Sequence, residues 1–451
     1  MTSVSVDLTA ALSPHFHRLK IGPLLIRSGA AAVAARTFAR ALPQGRWLVV
    51  ADPTTHRIAG ERLVAGLAAD GLPCELLVLK PRSAGATVVA DDENVEAVAR
   101  IVREARGSIV AGLAVGAGTI NDLVKRATHQ TRIPYGVLAT APSMNGYTSP
   151  IAAILSAGVK TVQEAQTPAA VVADVDILAA APPRLIASGY GDLLSKPVSN
   201  ADWRLSHWLT GSKYCADAIR LVEEGTRLLD GVAAGLKTGD REAVARLTGA
   251  LILSGYAMAL AGTSAPASGG EHLISHYLDM THYGLGEPGD LHGCQVGVGT
   301  LASASLYERL FAWDPASLEI EDRVAAWLSW PRYEEGVRAH FGVLADSVIP
   351  LAREGYPDAA ALRARLTRVK SEWPGFAARL RPGLRTAAAI RADLITAGCP
   401  TTFAELGCAP ERARRAFYLG KDIRARYTVL HLCREIGRLE TWGEEILPGL
   451  F

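Results

Sequence analysis

Paired cysteine spacing is missing from this chain. Its six cysteines, Cys74, Cys215, Cys294, Cys399, Cys408 and Cys433, include no C-x-x-C step. That excludes a disulfide framework and reads as a set of reduced cytosolic thiols. An excess of charge of one sign is also lacking: 47 Lys and Arg stand against 45 Asp and Glu, a net charge of +2. A dedicated nucleic-acid binder would concentrate basic charge, so none is expected. The first residues, Met1-Thr2-Ser3-Val4-Ser5-Val6-Asp7, have no basic stretch followed by an apolar one, so no signal peptide is expected. One long uncharged run lies between Arg246 and Glu271, enough to span a bilayer. Its second half, from Gly262 to Gly270, is polar and turn-forming, so only Leu247 to Ala261 reads as continuous helix. A buried core helix fits better than a membrane span, and the cytoplasm is the expected location.

What the chain does have is an ordinary globular balance, 49% hydrophobic and 20% charged over 451 residues, with two domains the natural expectation. Up to residue 182 short β-rich runs alternate with helical stretches, the pattern of a parallel sheet covered by helices. The strands are expected at Trp47–Asp52, Glu75–Leu79, Ser108–Val115 and Ile133–Leu138, with a helix over Asp92–Ala105. After Pro182-Pro183 helices dominate, at Arg184–Ser195, Ala216–Leu236, Arg241–Ala261, His292–Phe311 and Pro410–Ile436. The expected architecture is an α/β Rossmann-like domain over 1–182 followed by an all-α domain over 183–451. The stretch from Trp313 to Pro400 reads as an insertion or a peripheral helical layer.

Three distant segments carry chemistry: Gly189-Tyr190-Gly191-Asp192, Gly270-Glu271-His272-Leu273-Ile274-Ser275-His276, and Leu291-His292-Gly293. Asp192, His272 and His292 would together offer one oxygen and two nitrogen donors, a set suited to a divalent metal with an open position. His276 lies one helical turn after His272, so both rings share a face. Taken alone, H-x-x-x-H is as often structural, and Asp192 could simply begin a helical turn. A second signal is Gly116-Ala117-Gly118-Thr119-Ile120-Asn121-Asp122, between a buried strand and a helix, where backbone N–H groups favour a phosphate. Asn121 stands where the third glycine of G-x-G-x-x-G would be, so a plain turn fits the spacing equally well. Asp52, ending an earlier strand, could contact a ribose. Thr140, Ser143, Tyr147, Thr148 and Ser149 crowd hydroxyls beside Asn145 in a loop after a strand, where ligands of α/β sheets bind.

Taken in order, Gly116–Asp122, Thr140–Ser149, Gly189–Asp192, Glu271–His276 and Leu291–Gly293 resemble the sn-glycerol-1-phosphate dehydrogenases. These sit within the superfamily of iron-containing alcohol dehydrogenases, glycerol dehydrogenase and dehydroquinate synthase. The resemblance covers roughly residues 20–310 and 410–436, including Ile423-Arg424-Ala425-Arg426-Tyr427-Thr428. It implies a dehydroquinate synthase-like fold, with a dinucleotide-binding first domain and a metal- and substrate-binding second one. It implies metal ligation by Asp192, His272 and His292, with zinc the usual ion and nickel or iron the alternatives. His276 would contact substrate and carry a proton. NADH or NADPH would lie against Gly116, Ala117, Gly118, Thr119 and Ile120, with Thr140, Ser143 and Ser149 nearby and Asp52 toward the adenosine ribose. The implied reaction interconverts dihydroxyacetone phosphate and glycerol 1-phosphate, a step of phospholipid metabolism, in a homodimer. The family motif reads Ser-Met-Asp-Gly-Tyr, with the Asp on substrate; here Asn145 takes that place. An amide donates as well as accepts, so an altered substrate is expected. Other classes are a dehydroquinate synthase-like lyase, whose basic phosphate-binding residues are not found here, and a non-catalytic nucleotide binder, against which the retained Asp192, His272 and His292 argue.

Overall fold

Apolar runs buried on both faces form parallel strands, because every backbone N–H and C=O there must be met by a neighbouring strand. The computed structural model describes residues 4–83, 86–156 and 159–451; Met1, Thr2 and Ser3 of the N-terminal segment lie outside the described residues. Its strands are β1 (Leu24–Arg27), β2 (Arg46–Ala51), β3 (Cys74–Val78), β4 (Ile109–Gly116), β5 (Tyr135–Ala139), β6 (Ile151–Ser156), β7 (Val159–Glu164) and β8 (Ala170–Asp174). Six of them make one sheet in the order β1-β8-β5-β4-β2-β3, and every pairing in it is parallel. The β6–β7 pair is a separate antiparallel hairpin.

Strands β2, β3, β4 and β5 are those expected from the sequence. β1, β8 and the hairpin were not expected. Four-residue β1 is too short to show a period, and β8 is buried throughout, so neither alternates.

Helices α1 (Glu61–Ala69), α2 (Asp92–Glu104) and α3 (Gly118–Thr131) connect the strands, and α4 (Pro183–Leu194) follows the sheet. The chain then forms α5 (Lys196–Thr210), α6 (Ala216–Arg227) and α7 (Arg241–Ala261). Helix α7 is the uncharged run of the sequence, and 89% of its apolar stretch is buried inside the protein. Two expected helices are broken. Ala216–Leu236 divides at Gly231, which takes a left-handed φ of 73°, and Pro410–Ile436 divides into Pro410–Leu419 and Val429–Glu435 around a 3₁₀ turn.

The fold consists of two compact units. The first comprises Met1–Leu193, Ala216–Ser264 and Thr396–Gly398; the second comprises Leu194–Cys215, Ala265–Ile395 and Cys399–Phe451. They interleave in sequence, where a single cut after residue 182 was expected, because α4, α6 and α7 group with the sheet. Among the described residues no strand follows Asp174. The second unit is built on α5, α8 (Gly270–Leu285) and α9 (His292–Ala312). Helices Trp330–Phe341, Ala345–Gly355 and Ala359–Leu380 form its later layer, anchored where Trp208 stacks on Phe376 at 4.1 Å.

In the first unit, two glycines bring their helices' backbone against the 140–149 loop. A Cβ at Gly189 of α4 would lie 1.8 Å from the Pro142 carbonyl oxygen, and one at Gly255 of α7 would lie 2.9 Å from that of Asn145. Gly189→Ala is therefore expected to push the 140–149 loop off α4 and cost about 1–3 kcal/mol. Gly336→Ala, where nothing lies within 4 Å, should be neutral or stabilising. Unfolding midpoints of the two variants check this; equal midpoints would contradict it.

Candidate active site

The carboxyl edge of the parallel sheet gathers the dinucleotide-binding candidates. β2, β4 and β5 are neighbours in the sheet, and Gly116 pairs in register with Ala139. The turns after these three strands therefore bring Asp52, Gly116–Ile120 and Thr140 to one edge, where open α/β sheets bind ligands. Gly116 lets the turn close on its own helix, since a Cβ there would sit 2.6 Å from that of Ile120. Helix α3 starts at Gly118 with no side-chain cap on its first amides, as an anion-binding helix start requires. Ala117, Gly118 and Thr119 are half-buried. Asp52 caps the short helix that follows it, its Oδ1 accepting from the Thr54 and Thr55 amides at 2.7 and 2.8 Å, while its Oδ2 takes no part in those two bonds.

The 140–149 loop is held by its own polar groups. Tyr147 donates to the Ala141 carbonyl at 2.7 Å, and Ser188 of α4 to that of Ser143 at 3.0 Å. Thr148 donates to the Ile252 carbonyl of α7 at 2.7 Å. Thr140 and Ser143 are buried within it. Ser149 is 1% exposed, and its hydroxyl is engaged with the Gly146 and Ile151 carbonyls, so here it anchors the loop.

The sequence reading missed Lys125, a fully buried ammonium on α3. It donates to the Gly146 and Ile151 carbonyls, to Ser149 and to Asp122. Burial pulls its pKa down and the Asp122 carboxylate opposes that shift. The available signal was its place one helical turn after Asn121 and Asp122, on the same face of α3.

Asn145 lies against Asp192, which is wholly buried. Its backbone N–H donates to Asp192 Oδ2 at 3.1 Å, and its side-chain amide to Asp192 Oδ1 at 3.4 Å and to Ser254 Oγ at 3.3 Å. An aspartate at position 145 would set two carboxylates side by side; the amide instead supplies a donor.

Asp192 belongs to the first unit and the three histidines to the second. His272 and His276, one turn apart on α8, have ring centroids 5.9 Å apart. His292, the first residue of α9, lies 5.2 Å from His272 and 5.6 Å from His276. Two imidazoles bound through Nε2 to one tetrahedral ion would have centroids about 5 Å apart, so the His272–His292 pair has the right spacing. Their Nδ1 atoms face other groups: Glu271 Oε1 at 2.8 Å from His272, and Ser275 Oγ at 3.1 Å from His292. Among the described residues no three or more His, Cys, Asp and Glu side chains are gathered as a ready-made metal cage. The donor chemistry of the histidine pair nonetheless fits a divalent ion.

Helix α8 begins under two carboxylates. Glu271 accepts from the Gly269 amide at 2.8 Å and Asp202 from the Gly270 amide at 2.7 Å, where the helix dipole favours negative charge. Asp202 also accepts from Tyr307 at 2.6 Å and from the Val429 amide at 2.7 Å. Burial, and then the Glu271 carboxylate, push the Asp202 pKa up to about 7. Arg426, in the segment expected to match the family, donates to the Ser268 carbonyl at 2.6 Å, and burial lowers its pKa to about 10.

The iron-containing alcohol dehydrogenase family model matches residues 26–182. A glycerol-1-phosphate dehydrogenase [NAD(P)+] of Geobacillus thermodenitrificans is 32% identical over 322 residues, 71% of this chain and 76% of that protein. One of Halalkalibacterium halodurans is 36% identical over 260 residues, covering 58% of this chain and 64% of the relative. A crystal structure of glycerol dehydrogenase from Schizosaccharomyces pombe, 16% identical, superposes with a TM-score of 0.59 over 94% of this chain and 91% of that one, which establishes the shared fold. The chain belongs to the glycerol-1-phosphate dehydrogenase family of NAD(P)-dependent oxidoreductases, within the iron-containing alcohol dehydrogenases.

Proposed function

We propose that this oxidoreductase interconverts a small phosphorylated ketone and its alcohol, of the dihydroxyacetone phosphate and glycerol 1-phosphate kind. The observation that carries this reading is the His272–His292 pair at 5.2 Å with His276 beside it. In this reading Asp192, His272 and His292 hold one divalent ion, with zinc expected and nickel or iron suited to the same donors. The dinucleotide lies on Gly116, Ala117, Gly118, Thr119 and Ile120, beside Thr140, Ser143 and Ser149, with Asp52 toward the ribose. The functional division keeps the cofactor in residues 1–182 and the metal and substrate in 183–451, apart from Asn145. The enzyme works as a cytoplasmic homodimer, without nucleic acid or membrane.

Bound there, the nicotinamide supplies the hydride and the ion the Lewis acidity that draws charge onto the ketone oxygen. His276 passes a proton to that oxygen or holds a neighbouring hydroxyl. Asn145 meets a polar group of the substrate and, through its amide, holds Asp192 in place. The uncapped start of α3 binds the pyrophosphate through its amides.

Three outcomes follow from these roles. Elemental analysis should show metal lost from Asp192→Ala and from His272→Ala; full occupancy in both would refute the ligand set. Gly118→Val, whose first added carbon already meets Met144 at 3.1 Å, should fold yet bind dinucleotide far more weakly; unchanged affinity by titration would make the loop a mere turn. Asn145→Asp should shift relative kcat/KM toward glycerol 1-phosphate by about tenfold or more, the worth of one redirected buried hydrogen bond. Identical profiles of the two enzymes on a panel of phosphorylated ketones would make position 145 neutral.

A further inference from the structure

The hydrogen bonds behind the histidine pair run in one direction only. Gln295, 1% exposed on α9, places Nε2 3.1 Å from the Asp290 carbonyl oxygen. A carbonyl cannot donate, so that contact fixes the amide with its Oε1 on the other side. Ser275 Oγ lies 2.9 Å from this Oε1, and an acceptor there requires Ser275 to spend its only hydrogen on it. The hydroxyl therefore meets His292 Nδ1, at 3.1 Å, as an acceptor, and Nδ1 must carry the proton. Asp279 Oδ2, 3.6 Å from the same Nδ1, favours the same arrangement. In a neutral ring this leaves the lone pair on Nε2. His272 is held alike: the Glu271 carboxylate, 0% exposed, accepts from its Nδ1 at 2.8 Å, again leaving Nε2 as the basic nitrogen.

We propose that Ser275 and Gln295 are positioning residues that lock His292 in the Nδ1–H tautomer, as Glu271 does for His272, so that both rings present Nε2 to a divalent cation. The inference rests on the metal reading of the site. It adds residues to which nothing in that reading gives a role. A histidine whose far nitrogen is held by an acceptor is oriented and more basic toward a metal, and loss of such a partner typically costs about 10- to 100-fold in affinity. In Gln295→Met the Ser275 hydrogen loses its acceptor and is free to turn toward His292 Nδ1, which moves the ring proton to Nε2.

The test uses the full-length protein stripped of metal, with zinc as the probe in competition with a chelator. Histidine 15N NMR, with the His292 signals assigned by their loss in His292→Ala, reads the tautomer. Zinc affinity in Gln295→Met should fall about 10- to 100-fold, with a new Nε2–H population at His292 and the unfolding midpoint of the metal-free protein retained. If Gln295→Met fails to fold, Ser275→Ala combined with Asp279→Ala removes both acceptors that face the Nδ1 proton and should give the same loss of affinity. Unchanged affinity and tautomer in a folded variant, while His292→Ala abolishes binding, would overturn the lock and spare the metal reading. Unchanged zinc affinity in His292→Ala itself would overturn both.

Discussion

A single buried ammonium ties the first unit's functional segments together. Lys125 reaches from α3 to the 140–149 loop and to the first residue of β6, while its partner Asp122 accepts from the Ala153 amide of the same strand at 3.0 Å. Removing an ammonium from water costs several kcal/mol, offset only when the geometry satisfies it fully. Here the carbonyls, hydroxyl and carboxylate do so. The helix that starts at the glycine turn is thereby fixed to the loop that carries Asn145, and neither can shift without exposing a buried charge. The close approaches at Gly189 and Gly255 press the same loop onto α4 and α7, so Asn145 meets Asp192 with little freedom.

Strand, glycine turn and helix were legible in sequence because apolar runs and glycines act locally. The strands around Trp47, Leu76, Val110 and Val137 could be read this way, as could the long helices over Arg241–Ala261 and His292–Ala312. The β6–β7 hairpin was hidden because β6, Ile151-Ala152-Ala153-Ile154-Leu155-Ser156, is apolar up to its last residue and shows no alternation, and β1 was hidden by its length. Helix periodicity marks a buried face without naming its partner, which is why α6 and α7 grouping with the sheet was not legible. The pairing of His272 with His276 followed from one turn of helix. The approach of His292, and the roles of Ser275 and Gln295, depend on how α8 meets α9, which spacing does not encode.

Position 145 shows how a one-atom change reshapes a site. Asparagine gives Asp192 a hydrogen-bond donor where the family motif has a second carboxylate, so the local charge is less negative and Asp192 is held by a neighbour as well as by its helix. The same economy appears in the second unit, where Asp202 and Glu271 share the start of α8 and Asp202 answers with a raised pKa, to about 7.

The most direct test of the account follows nicotinamide absorbance while the metal-loaded protein meets NADH or NADPH with dihydroxyacetone phosphate and other small phosphorylated ketones. The account predicts dinucleotide oxidation that needs both the ketone and the divalent ion. Turnover that persists after the metal is stripped, or no oxidation with any phosphorylated ketone by a folded, metal-loaded protein, would contradict it.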